Sequence, residues 1–143
     1  MPKATRPIRS GFLGAVLALL TVLPAPLRAD DGSSPAETAS LELVMFERDG
    51  CSYCLRWHEE IGPAYPRTAE GAAAPLRRID IAQPLPVGIT LTGRPPVFTP
   101  TFVLLREGAE VARIEGYAGD EFFWVLLDGM LDRAGWAGPP GGP

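Results

Sequence analysis

Two cysteines, Cys51 and Cys54, are the residues whose types and spacing most directly indicate chemistry. They lie where a short apolar run, Leu43 to Phe46, gives way to a segment of helical character. A thiol in the first turn of a helix is close to unpaired backbone N–H groups and the positive end of the helix dipole, which stabilise a thiolate. We therefore expect Cys51 to attack a disulfide and Cys54 to resolve the mixed disulfide that forms.

Other interpretations of the cysteine pair stay open. A structural disulfide across three residues closes a very short loop and so gives little entropic stabilisation. A zinc site could combine both cysteines with His58, but structural zinc normally has four nitrogen or sulfur ligands, and the sequence has two cysteines and one histidine. Two cysteines could also have this spacing by chance. We favour redox chemistry and expect neither a metal nor a cofactor.

His58 follows Cys54 by four residues and lies on the same face of the predicted helix. It could carry a proton to or from the resolving thiol. The alternative is a partly exposed helix residue beside Glu59 with no catalytic duty. Trp57 is expected to pack in the core or at its rim.

Thr99 and Pro100 directly precede a second buried apolar run, Thr101 to Leu105. Proline cannot donate to a sheet, so Pro100 should stand at the start of this strand. We expect a cis peptide between Thr99 and Pro100, because X-Pro bonds adopt cis at low cost. This would bring the backbone of Thr99 near Cys51, where it could pair with an extended substrate segment. The expected substrate-binding residues are Ser52, Tyr53, Thr99 and Pro100.

The elements that position these residues follow from apolar patterning and from breaks at glycine and proline. A strand, a helix and a second strand in this order predict a parallel crossover unit. The predicted elements are a strand at 43–46, a helix from Cys51 to about Ile61, a small-residue linker through 71–75, a strand at 76–81, a loop at 82–96 with one helical turn around 87–91, a strand at 101–105 and an edge strand at 110–115. A last helix is capped by Asp120 and ends at Gly135. Its apolar side chains that should face the sheet are Phe122, Phe123, Leu126, Leu127, Met130 and Leu131.

The first 29 residues have the three parts of a secretory signal. Basic residues precede an apolar stretch from Gly11 to Leu23, and Pro24 to Ala29 follow it. The apolar stretch is shorter than the roughly 20 residues that span a bilayer, which favours cleavage after Ala29 over a retained anchor. Residues 30–40 should form a flexible lead-in, 41–135 one domain, and 136–143 a disordered tail. Export to the periplasm would place both cysteines in an oxidising compartment.

Removal of residues 1–29 would leave 9 basic and 17 acidic side chains and a net charge of −8. An acidic chain of this kind is not expected to bind nucleic acid, which requires clustered positive charge. It is also not expected to bind an anionic membrane surface.

The cysteine motif at a helix start, Thr99-Pro100 before an antiparallel pair, and Gly116 after that pair resemble the thioredoxin superfamily over about Leu41 to Ala134. The resemblance implies a thioredoxin-like α/β fold with a central mixed β-sheet flanked by helices. It also implies a nucleophilic Cys51, a resolving Cys54, and a cis Pro100 beside them. Met45 stands where many thioredoxins have a buried acid that takes part in proton transfer.

More narrowly, four segments are similar to the periplasmic thioredoxins encoded with bacterial thiosulfate-oxidation (Sox) operons: 50–54, 62–66, 75–81 and 98–103. This resemblance implies a periplasmic reductant whose protein substrate is a sulfur carrier with a reactive cysteine or disulfide. Nothing in the sequence calls for a dimer, so we expect a monomer. A membrane thiol transporter would supply its electrons. The alternatives are a disulfide oxidant or isomerase, a cytochrome-assembly thioredoxin, and a non-catalytic binding module.

Overall fold

A four-stranded mixed sheet is the centre of the computed structural model, which describes residues 39–139. The strand order is β2-β1-β3-β4, with β1 parallel to β2 and the other pairs antiparallel. The predicted signal peptide, most of the predicted lead-in and the last four residues of the predicted tail lie outside the described residues. The elements are β1 (Leu41–Glu47), α1 (Ser52–Glu60), a 3-10 turn (Tyr65–Arg67), α2 (Ala69–Ala73), β2 (Leu76–Asp80), β3 (Thr101–Arg106), β4 (Ala109–Glu115) and α3 (Asp120–Arg133).

The two central strands, β1 and β3, are buried on both faces, as their unbroken apolar runs predict. Successive side chains point to opposite faces, so each strand contributes to two apolar clusters. Met45 and Phe102 pack with α1 and α3 on one face. Val44 and Val103 pack on the other face, where Ile81, Ile89 and Leu91 partly cover them. The prediction of a mixed sheet flanked by helices is confirmed.

The crossover from β1 through α1 to the parallel strand β2 is confirmed. The small-residue linker predicted through 71–75 is wrong over 71–73, which belong to α2; this helix follows the 3-10 turn. Thr68 caps α2 by accepting a hydrogen bond from the backbone N–H of Gly71 over 3.0 Å. Alanine has the highest helix propensity, so the small residues of 69–73 form a helical turn once the cap is present.

The helical turn predicted around 87–91 is also wrong. The chain turns at Val87 and Gly88, where Gly88 has a φ of 90°. Thr90 then forms an isolated bridge with Ala109 at the start of β4. The backbone N–H of Thr90 donates to the carbonyl oxygen of Gly108. The edge of β4 therefore provides the hydrogen-bond partner that a helical turn would have provided within the loop.

Helix α3 begins at Asp120 itself, with Gly119 as its cap, so the prediction that Asp120 caps the helix is wrong. Phe123, Leu127, Met130 and Leu131 are buried on the sheet, as predicted. Phe122 and Leu126 are exposed. An apolar face of α3 that included both of them would be wider than the face that one helix can bury against a sheet. None of the helices within 39–139 has the length and apolar character needed to cross a membrane.

Candidate active site

Cys51 and Cys54 form a disulfide at the start of α1, with their Cα atoms 5.2 Å apart. Cys51 is the N-cap residue rather than part of the first helical turn, and the Cys54 backbone N–H donates to its Sγ over 3.1 Å. A sulfur in this position faces the unpaired N–H groups and positive dipole end of the helix, which favour a thiolate. Cys51 is partly exposed and Cys54 is only 3% exposed, so an incoming partner can reach Cys51 first.

The peptide between Thr99 and Pro100 is cis, and Pro100 is buried immediately before β3. The Pro100 carbonyl accepts a hydrogen bond from the Gly116 N–H over 2.7 Å, which fixes the proline segment to the end of β4. The Thr99 hydroxyl accepts a hydrogen bond from Arg48 Nε over 3.1 Å. Arg48 lies three residues before Cys51, so this bond connects the proline segment to the cysteine segment.

A groove of about 630 Å³ lies on one side of the site. Tyr53 and Thr99, two of the predicted substrate-binding residues, line it. Ser52 is exposed at the start of α1 and Pro100 is buried, and neither contributes to this lining. Phe98 and Leu126 add large apolar surfaces that the sequence analysis did not assign to the site. A groove with this lining suits an extended, partly apolar peptide segment.

A hydrogen-bond network joins Tyr117, a residue of the groove lining, to α1. The Tyr117 hydroxyl donates to Glu60 Oε2 over 2.6 Å, and Arg56 Nε donates to Glu60 Oε1 over 2.8 Å. These two bonds lower the pKa of Glu60, whereas burial and the Glu60 carboxylate raise the pKa of Tyr117. Tyr117 therefore stays neutral, and it holds the segment after β4 against α1.

A smaller polar cleft, about 160 Å³ in volume, has both cysteines and His58 in its lining. His58 Nε2 lies 2.6 Å from Glu47 Oε2, and Glu47 Oε1 accepts a hydrogen bond from Arg78 Nε over 2.6 Å. The partner of His58 is therefore Glu47 at the end of β1 rather than the adjacent Glu59. The sequence analysis missed Glu47; the signal that could have found it is an acid at the carboxyl end of a buried strand.

The side of the site that faces the core is apolar. Trp57 is fully buried among aromatic side chains, which confirms its predicted packing role. Met45 is fully buried in the same cluster as Cys54, so no acid approaches the cysteines from that position. Within residues 39–139, no group of three or more histidine, cysteine or acidic side chains is arranged to hold a metal ion.

Comparisons with known proteins relate this arrangement to solved structures. No protein-family model matches the chain, and no curated protein sequence matches it. The chain is similar to the reduced form of the periplasmic thioredoxin SoxS from Paracoccus pantotrophus, with 51% identity and a TM-score of 0.64 over 66% of this chain and 98% of that chain. It is also similar to Malassezia sympodialis thioredoxin (Mala s 13), with 22% identity and a TM-score of 0.43 over 64% of this chain and 76% of that chain.

Proposed function

This chain belongs to the thioredoxin superfamily, and from that premise we propose that it is a periplasmic protein thiol–disulfide oxidoreductase that works as a reductant. The observation that carries the proposal is the disulfide between Cys51 and Cys54 at the N-terminus of α1, next to an apolar groove. A three-residue structural disulfide would add little stability. The same pair at a helix start, with Cys51 partly exposed and Cys54 buried, is suited to disulfide exchange.

The proposed reaction has two exchange steps. The Cys51 thiolate attacks one sulfur of the partner's disulfide, the partner's S–S bond breaks, and its other sulfur leaves as a thiolate. Cys54 then attacks the Cys51 sulfur, closes the disulfide between Cys51 and Cys54, and releases the partner's second sulfur. The partner gains two electrons and the dithiol loses them. A mixed disulfide as substrate undergoes the same exchange and releases the group bound to the carrier.

The lining of the groove supports two of the proposed substrate-binding residues, Tyr53 and Thr99. In this proposal the backbone of Thr99 pairs with an extended substrate segment, while Tyr53 and Pro100 flank the sulfur under attack. Ser52 and Tyr53, which separate the cysteines, adjust the reduction potential. Substrate side chains on either side of the disulfide contact Phe98 and Leu126.

The partner follows from the narrower similarity. The relative with 51% identity is the periplasmic thioredoxin SoxS, and four segments of this sequence resemble the periplasmic thioredoxins encoded with thiosulfate-oxidation operons. We propose a sulfur-oxidation carrier with a reactive cysteine as the substrate, and a membrane thiol transporter as the electron donor. Residues 1–29 would act as the export signal, 30–40 as a lead-in, 41–135 as the domain and 136–143 as a tail. The protein would act as a monomer without a metal, a cofactor or bound nucleic acid.

Trapping tests both the chemistry and the partner. Cys54→Ser cannot complete the second step, so mixed disulfides should accumulate on Cys51, and mass spectrometry would identify the partner. The matched control, Cys51→Ser with Cys54→Ser, should trap nothing. Undiminished disulfide reduction by Cys51→Ser would contradict the proposal and favour a binding module, and trapping of cytochrome-assembly proteins would replace the sulfur carrier as partner.

The reduction potential tests the direction. A value near that of thioredoxin, about −270 mV, would support a reductant. A value near −120 mV, roughly that of a strong protein disulfide oxidant, would contradict it and favour an oxidant or isomerase. The measurement requires equilibration of the full exported chain with glutathione buffers and separation of the two redox forms.

A further inference from the structure

The second exchange step requires a base for Cys54. A thiol reacts as its thiolate, and burial in apolar surroundings disfavours the charged form. Cys54 is 3% exposed and packs in the cluster that contains Met45 and Trp57, so the core side provides no proton acceptor. The polar cleft is the other side of Cys54. Any group that takes the Cys54 proton must therefore act through that cleft.

His58 is placed to be that group. It lies one helical turn after Cys54, on the same face of α1, and both residues line the cleft. Its Nε2 contacts Glu47, and a carboxylate can only accept a hydrogen bond, so Nε2 carries the hydrogen. The lone pair of a neutral imidazole is then on Nδ1. The cleft has room for several water molecules, so a proton can cross it directly or through one water.

Three of the other charged groups of the cleft, Arg78, Asp80 and Arg48, make hydrogen bonds elsewhere, and the fourth, Asp49, is exposed to solvent. Arg78, from β2, donates to Glu47 Oε1. Asp80, also from β2, accepts a hydrogen bond from the backbone N–H of Ala82 over 2.9 Å. Arg48 donates to Thr99, and Asp49 is exposed after β1. The Glu47 side chain is only 15% exposed and joins β1, α1 and β2 through its two oxygens.

We propose that His58 is the proton acceptor for Cys54 in the resolving step and that Glu47 is its positioning residue. This inference rests on the proposed function, because it concerns the second step of that reaction. The Cys54 proton moves to His58 Nδ1, and the sulfur electron pair forms the bond to Cys51 Sγ. The bond between Cys51 Sγ and the partner's sulfur breaks, and the partner leaves as a thiolate. The imidazolium, paired with the Glu47 carboxylate, then returns its proton to that thiolate or to water.

The test separates the two exchange steps in one experiment. The reduced protein is mixed in a stopped-flow instrument with 5,5′-dithiobis(2-nitrobenzoate), an aromatic disulfide that releases one coloured thiolate on attack by Cys51 and a second when Cys54 resolves the mixed disulfide. His58→Gln should slow the second phase by about 100-fold near pH 6.5 and leave the first unchanged. The deficit should shrink toward pH 9, where the thiol ionises without a base. Glu47→Gln should give a smaller loss in the same phase.

Controls distinguish a proton acceptor from a structural residue. Glu59→Gln alters the exposed neighbour of His58 and should match the wild type in both phases. Cys54→Ser should show the first phase alone, which assigns the phases. Added imidazole should restore the second phase of His58→Ala, since a small base can enter the cleft left by the side chain.

Two results would overturn the inference while the proposed function stands: wild-type kinetics in His58→Gln at every pH, or an equal slowing of both phases that imidazole does not relieve. Absence of the first phase in the wild-type protein would contradict the proposed function itself, and this inference with it.

Discussion

Arg48 donates its Nε–H to the Thr99 hydroxyl over 3.1 Å, and the two residues are 51 positions apart in the chain. The bond joins the segment that leads to Cys51 to the segment that ends in Pro100. Both side chains are accessible to solvent, where such a bond contributes little to stability. We infer that its main effect is on the position of Thr99 relative to the cysteines.

The first prediction concerns this bond. Arg48→Met keeps the length of the side chain and removes the donor, so kcat/KM for a protein disulfide should fall about threefold to fivefold, equivalent to about 0.5–1 kcal/mol. The free energy of unfolding should change by less than about 0.5 kcal/mol. In a Thr99→Val background the same substitution should have no further effect, because its partner is already gone. Independent, additive losses in the double variant would contradict the role of the bond.

The cysteine site was predictable because its signals are local. A buried apolar run, a turn at Asp49-Gly50 and two cysteines one helical turn apart are contiguous in the sequence. The superfamily predicted from these motifs is confirmed by the similarity to SoxS. The same patterns predicted buried strands at the unbroken apolar runs and an edge strand at 110–115, and β1 and β3 are the central strands and β4 an edge strand of the sheet.

The parts that the sequence did not predict depend on contacts between distant segments. Glu47 pairs with His58 and Arg78 only because β1, α1 and β2 meet at one edge of the sheet. Phe98 and Leu126 line the groove because the segment before Pro100 lies near α3, which no periodicity reveals. The edge of β4 likewise decides the conformation of the loop around Thr90.

The second prediction concerns the groove. Phe98 and Leu126 are 56% and 47% exposed, so their truncation should hardly affect folding and should remove apolar contact with a bound substrate. Phe98→Ala and Leu126→Ala should each raise KM for a protein disulfide about fivefold, from about 1 kcal/mol of lost burial. Neither should affect reaction with a small aromatic disulfide, which needs only the cysteines. Val125→Ala, at a 70% exposed position outside the groove lining, is the control, and an equal loss in it would contradict the assignment.

The third prediction concerns Gly71 in α2. A Cβ at this position would overlap the backbone carbonyl oxygen of Tyr65. Because this oxygen belongs to the main chain, the overlap can be relieved only if the 3-10 turn moves. Alanine favours a helix by about 1 kcal/mol over glycine, but the steric conflict should exceed that gain. Gly71→Ala should therefore lower the free energy of unfolding by about 2 kcal/mol in urea denaturation. Ala72→Gly, at an exposed position in the same helix, should cost only about 1 kcal/mol. An increase in stability of Gly71→Ala would show that the turn adjusts freely.

The fourth prediction is a pH dependence of stability from Glu110, a buried acid on the edge strand β4. Arg113 donates to both of its oxygens, over 2.6 and 2.7 Å, and the Thr92 N–H donates over 2.9 Å. The hydrogen bonds from Arg113 lower the pKa of Glu110 against the opposing effect of burial. Because the folded-state pKa lies below that of the unfolded chain, the stabilisation is complete above about pH 4.3 and is lost as pH falls through the folded-state pKa.

Glu110→Gln tests that dependence. The variant keeps the size of the side chain and removes its charge, so the free energy of unfolding at pH 7 should fall by about 1.5–3 kcal/mol. The difference from the wild type should shrink in urea unfolding at pH 3, because below about pH 4.3 the unfolded wild-type chain binds a proton at this position more readily than the folded chain does. Glu59→Gln, an exposed change of the same type, should show no such convergence. A contribution that depends on ionisation must disappear with the charge. If the difference in unfolding free energy between Glu110→Gln and the wild type stayed constant from pH 7 to pH 3, Glu110 would stabilise the strand through its shape and neutral hydrogen bonds instead.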